Sequence, residues 1–108
     1  MIEEERLTKA LEYLAKTDES CARAHALMIG IDRQTKTIEG QLFIQMPPEM
    51  KVAEKDARVF ASQTWVDHNE KYQNAVADYE IMRNRRDTAA LIVEVWRSEN
   101  ANRRKGNL

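Results

Sequence analysis

Residues 61–100 read ASQTWVDHNEKYQNAVADYEIMRNRRDTAALIVEVWRSEN, a stretch with no glycine and no proline. A stripe of alternating three- and four-residue steps runs through it: Ala61, Trp65, His68, Tyr72, Ala75, Tyr79, then Met82, Arg86, Ala89, Val93, Trp96 and Asn100. A mean period of 3.5 residues is the seam of a coiled coil. The preceding chain carries a second stripe of the same period: Leu7, Ala10, Leu14, Thr17, Cys21, Ala24, then Met28, Ile31, Thr35, Ile38 and Leu42. Two such stripes predict two long helices packed seam to seam.

Met46-Pro47-Pro48 is the strong break between them. Proline has no amide hydrogen to give a helix interior, and it pushes its predecessor out of helical space. The expected elements are a helix over about 3–45, a turn at 46–48 and a helix over about 49–104 that opens near Pro48. A short basic tail follows. Glu3, Glu4 and Glu5 suit the first helix start, and Arg103, Arg104 and Lys105 suit the second helix end. Gly106 is then expected as a left-handed residue just beyond it. Gly30 and Gly40 lie inside the first helix and cost about 1 kcal/mol each relative to Ala. The alternation Leu42, Ile44, Met46 also reads as a strand over 37–46. That reading fails because the stripe passes both glycines without a slip, and a lone strand has no partner.

A short turn between long helices makes an antiparallel hairpin. Pairing outward from Pro47 sets Tyr72 near Ala22–Ala24 and Tyr79 near Ala15–Thr17, large against small. Arg86 falls near Thr8–Glu12, with Glu12 or Glu5 as its counter-charge. In this register the first helix runs out near residue 92 of the second. Leu91, Ile92, Val93, Val95 and Trp96 then overhang. Ile29, Phe43, Val52, Val59 and Val66 form a further apolar set off the seam. Two helices cannot bury both groups, so a homodimer is expected, an all-α hairpin doubling into a four-helix bundle. The oligomer interface is expected among Ile29, Phe43, Val52, Val59, Val66, Leu91, Ile92, Val95 and Trp96.

Composition agrees with this class. The chain has 108 residues, enough for one domain, with 32% charged, 43% apolar and 6% aromatic residues. The net charge of −1 predicts no global attraction to nucleic acid or membrane. The ends differ. Residues 1–20 hold six acids against three bases, a net −3. Residues 83–108 hold seven bases against three acids, a net +4. Cys21 is the single cysteine, so no internal disulfide forms and a reducing compartment fits. No apolar run approaches the roughly 20 residues of a membrane span, and Met1-Ile2-Glu3-Glu4-Glu5 has the wrong charge for a signal peptide. A cytoplasmic protein is expected.

No catalytic, metal or cofactor motif stands out. His25 and His68 have no Cys or His at ligand spacing, and His68 on the seam reads as a hydrogen-bonded core residue. Cys21 on the seam reads as a packed thiol rather than a nucleophile. Asp67-His68 beside Glu70 suggests acid–base chemistry, but no nucleophile or pocket-forming loop accompanies it. The expectation is a non-enzymatic protein with no cofactor. The strongest candidate for contact with a partner or nucleic acid is the tail: Trp96, Arg97, Arg103, Arg104 and Lys105. Cations near an aromatic can hold phosphates and stack a base.

The blocks Ala75-Val76-Ala77-Asp78-Tyr79-Glu80, Arg85-Arg86, Ile92-Val93-Glu94-Val95-Trp96-Arg97-Ser98 and Asn102-Arg103-Arg104-Lys105-Gly106-Asn107 resemble small coiled-coil proteins of tailed bacteriophages. The resemblance is strongest in the last third. The first helix is similar mainly through residues 10–19. Such proteins are often encoded near single-strand annealing recombinases. The resemblance implies a phage protein in the bacterial cytoplasm, and it carries over no catalytic residue. Three roles follow as expectations. One is an interaction protein of DNA metabolism or recombination working through the basic end, with weak DNA contact or a protein partner. The others are an inhibitor of a host defence or nuclease complex, and a structural assembly factor.

Overall fold

The computed structural model describes residues 1–106. They form three helices and no strand: α1 (Glu4–Ile44), α2 (Val52–Ala61) and α3 (Gln63–Gly106). The chain is an all-α antiparallel hairpin, with α1 packed on α3. Helix α1 runs unbroken through Gly30 and Gly40, so the strand reading of 37–46 is excluded. All eleven positions of the first stripe are buried or half-buried, as are all of the second from Trp65 to Asn100. Ala61 alone departs from its stripe, being exposed on α2.

The second helix differs from expectation in two ways. It starts at Val52 rather than near 49, and it breaks at Ser62. Pro48 does not open the helix. It sits inside a turn closed by Met50 N–H donating to the Pro47 carbonyl at 3.1 Å, where a proline at the second position presets φ. Ser62 is extended, with φ −69° and ψ 145°. Its hydroxyl donates to the Val59 carbonyl at 2.8 Å and accepts the Trp65 N–H at 3.2 Å. One serine therefore closes α2 and caps α3. Replacing Ser62 by Ala is expected to cost about 1 kcal/mol of stability. Urea melts of Ser62→Ala and Ser62→Asn should show that loss in the first variant and little change in the second. A further departure lies at the far end, where Gly106 stays helical with no positive φ.

The chain packs as two compact units. Unit 2 spans Ala24–Asp78. Its buried side chains are Ile31 at 4%, Val59 at 3%, Ala75 at 6% and His68 at 7% exposure. The His68 Nε2 lies 2.9 Å from the Thr35 hydroxyl, so its ring is satisfied inside the seam. Trp65 donates its indole N–H to Glu39 at 3.3 Å and meets Phe60 edge-on at 5.2 Å between centroids. Lys55 lies 5.0 Å over the Phe43 ring. From the Lys55–Phe43 contact to the Trp65–Glu39 contact the chain advances ten residues, while α1 retreats only four. Helix α2 and its break absorb the difference.

Unit 1 holds Met1–Arg23 and the chain from Tyr79 onward. Ala10 and Ala89 are its buried core residues, each at 5% exposure. Arg86 lies across the seam, donating to the Leu14 carbonyl and the Thr17 hydroxyl, both at 2.7 Å. It also reaches the Asp18 carboxylate at 3.3 Å. The Thr17 hydroxyl in turn donates to the Tyr13 carbonyl at 2.6 Å. The partner of Arg86 is thus Asp18, neither Glu12 nor Glu5, and Glu5 pairs with Lys9 instead at 3.1 Å. Facing residues are shifted by about one heptad from the expected register. Such a shift keeps every seam position on the seam, so periodicity alone cannot detect it.

Candidate interaction site

The register decides what becomes of the C-terminal end. Because α1 now reaches further along α3, the expected overhang does not exist. The Ile2 N–H donates to the Glu99 carboxylate at 2.9 Å, and the Arg103 guanidinium meets the Met1 sulfur at 3.1 Å. Trp96 is half-buried at this end, as are Ile92 and Val93. Leu91 remains 63% and Val95 38% exposed, because they point off the seam rather than past it.

The five tail residues separate into two groups. Trp96, Arg97 and Arg104 line one shallow depression of about 460 Å³, with Glu94, Ser98 and Asn100. Arg97 pairs with Glu94 across one helical turn at 3.0 Å. Arg103 instead lines a second depression with Met1, Ile2, Glu3, Glu4 and Glu99, and Trp96 borders this one too. Lys105 is exposed and lines neither. Asn107 lies outside the described residues. The acids of the chain start and the bases of the chain end therefore meet at one end of unit 1. Glu3, Glu4 and Glu99 stand beside Arg103 there.

The expected interface residues also divide. Val59 is buried within its own unit, so it is core and not an oligomer surface. Ile29 and Phe43 are half-buried, whereas Val52 at 64% and Val66 at 41% are exposed. Other large apolar side chains are exposed outside the expected set, among them Leu11 at 48%, Leu27 at 59% and Ile81 at 50%. Their off-seam heptad positions were legible in the sequence, but isolated apolar residues on helix flanks are common and carry little signal alone.

The remaining candidates are plain. Cys21 is half-buried and unpaired by any disulfide, and His25 is exposed. Asp67 accepts the Gln63 amide at 2.6 Å, one turn away on the same helix. Among the described residues no three His, Cys, Asp or Glu gather to hold a metal ion. No described helix is long and apolar enough to cross a membrane. No family model, curated protein or solved structure matches this chain.

Proposed function

We propose that this chain is a non-enzymatic phage interaction protein, acting in DNA metabolism by docking a protein partner at its C-terminal end in the host cytoplasm. The observation that carries this reading is the depression that gathers Trp96, Arg97 and Arg104. A half-buried aromatic flanked by two arginines is the composition of a protein-binding hot spot. The neighbouring acids argue for a protein over DNA. Glu3, Glu4 and Glu99 line the adjoining depression. At 0.1 M salt, charges interact over about 10 Å, so a polyanion there meets carboxylates as well as cations. The resemblance to phage coiled-coil proteins supports a partner from recombination.

A gel shift and a capture experiment test the reading together. At 50 mM salt and micromolar protein, neither single- nor double-stranded DNA should be retained. The tagged protein should capture a phage recombination protein from infected cells. Trp96→Ala with Arg97→Glu and Arg104→Glu should weaken capture by about tenfold or more. Arg103→Ala with Lys105→Ala should leave capture intact. Retention of DNA, lost in the Arg97/Arg104 variant, would replace protein docking with direct DNA contact. Capture of a host nuclease or defence protein would make the chain an inhibitor instead.

A further inference from the structure

Within unit 1 a groove of about 340 Å³ runs between α1 and α3. Its floor is the buried pair Ala10 and Ala89, and its walls are the half-buried Tyr13 and Ile92 with Thr88. Two alanines on the seam leave space that larger seam residues would fill. Three exposed cations rim it, Arg6, Lys9 and Arg85. Lys9 pairs with Glu5 at 3.1 Å. Arg6 and Arg85 make no ion pair and no side-chain hydrogen bond among the described residues. No carboxylate among the described residues lines the groove.

The register of unit 1 sets these charges along the groove. Ile2 bonds Glu99 and Leu14 bonds Arg86, so Ala10 and Ala89 stand opposite one another. Arg6 then lies toward one end of the groove and Arg85 toward the other, roughly 14 Å apart along the axis at 1.5 Å per residue. The apolar walls lie between them. Glu99, one heptad beyond Ile92, is already held by the Ile2 N–H and the chain amino group. It leaves both arginines without a counter-charge.

We propose that this groove docks an acidic amphipathic helix of a partner protein. A trough between two antiparallel helices has the shape of a third helix and receives its apolar face. One large apolar side chain of that helix fills the space over Ala10 and Ala89, between Tyr13 and Ile92. Carboxylates about one turn to either side of it share its face and reach Arg6 and Arg85. A second copy presenting the same groove would set Arg6, Lys9 and Arg85 against their own counterparts, which like-charge repulsion opposes. A nucleic-acid backbone would satisfy the arginines but leave the apolar floor uncovered. The groove is separate from the depression of Trp96, Arg97 and Arg104, and its occupant does not rest on the function proposed for that depression.

Fluorescence anisotropy of a labelled peptide tests the docking. The probe is a helical peptide of about four turns, otherwise Ala and Gln, with Leu at its centre and Glu four residues to either side. At about 50 mM salt it should bind with Kd on the order of 100 µM or tighter. Changing its Leu to Ala should weaken binding about tenfold, and changing both Glu to Lys should abolish it. Arg6→Glu with Arg85→Glu should weaken the glutamate probe by about tenfold or more and take the lysine probe instead, which also shows that the variant is folded. Arg97→Glu with Arg104→Glu should bind the glutamate probe as the wild type does. Absence of binding, equal binding of the Leu and Ala probes, or a loss in the Arg97/Arg104 variant as large as in the Arg6/Arg85 variant would each overturn the proposal. So would an Arg6/Arg85 variant that keeps the glutamate probe. Displacement of the probe by equimolar single-stranded DNA would overturn it in favour of nucleic acid. Self-association of the wild type that the Arg6/Arg85 variant loses would overturn it in favour of a second copy.

Discussion

Ile31→Ala is expected to lower the unfolding free energy by about 2–5 kcal/mol. Ile31 is 4% exposed on the seam of unit 2, and its removal deletes packed methyl groups where the backbone of two helices limits collapse. The effect weighs heavily because the buried core is thin. Its apolar members are Ala10, Ile31, Val59, Ala75 and Ala89, of which three are alanines. Ile31 and Val59 are the only large aliphatic members of that set among the described residues. Small domains have only about 5–15 kcal/mol to lose. Leu11→Ala is the matched control. Leu11 is 48% exposed, and its truncation should change stability by about 0.5 kcal/mol or less. Urea unfolding followed by circular dichroism measures both. Equal losses for the two variants would contradict the seam assignment of Ile31.

Arg86 gives the second large effect, and its size depends on the replacement. Its side chain is 20% exposed and makes three contacts across the seam, to Leu14, Thr17 and Asp18. Asp18 is 83% exposed, so solvent screens that ion pair and it contributes about 0–1 kcal/mol. The bonds to the Leu14 carbonyl and Thr17 hydroxyl are donated by a charged group and matter more. Arg86→Ala loses them and also the aliphatic stem that fills the seam, a cost of about 2–3 kcal/mol. Arg86→Met refills the space without the buried charge and should be near neutral. Arg86→Lys keeps the charge but has one nitrogen where the guanidinium uses two, Nη1 for Leu14 and Thr17 and Nη2 for Asp18, so it should fall between. A methionine variant as unstable as the alanine one would show that the hydrogen bonds, and not the filled volume, dominate.

The same residue shows where sequence reading stops. Its seam position was legible from the stripe alone, and so was its need for a polar partner. The identity of that partner was not. A displacement of seven residues returns each seam position to a seam position, so Glu12 and Asp18 were equally compatible with the periodicity. The structure resolves the degeneracy through the connection. Helix α2, with its break at Ser62, consumes more chain than a three-residue turn, and every later pairing moves by about one heptad. Ser62 carried a weak signal, since serine is a preferred helix cap. Serine is also common on exposed helix faces, so the residue alone did not mark a break.

The candidate site followed the same course. The cluster of Trp96 with arginines was visible in the chain. Its division into Trp96, Arg97 and Arg104 on one side and Arg103 on the other was not, because it depends on helical phase and on the neighbour. The acidic start and basic end were likewise visible as separate composition biases. Only antiparallel packing in the observed register sets Glu3 and Glu4 beside Arg103.

By itself the sequence determined the all-α class, the two long helices, the turn at the prolines and which face of each helix is buried. These follow from local rules, namely side-chain periodicity and the backbone limits of proline, that need no knowledge of the neighbour. Tertiary structure alone decided the register, the burial of Val59, the partner of Arg86 and the mixed charge at the C-terminal end. Each of these depends on which residues face one another across the seam, and a repeating pattern leaves that undetermined until the length of the connection is set.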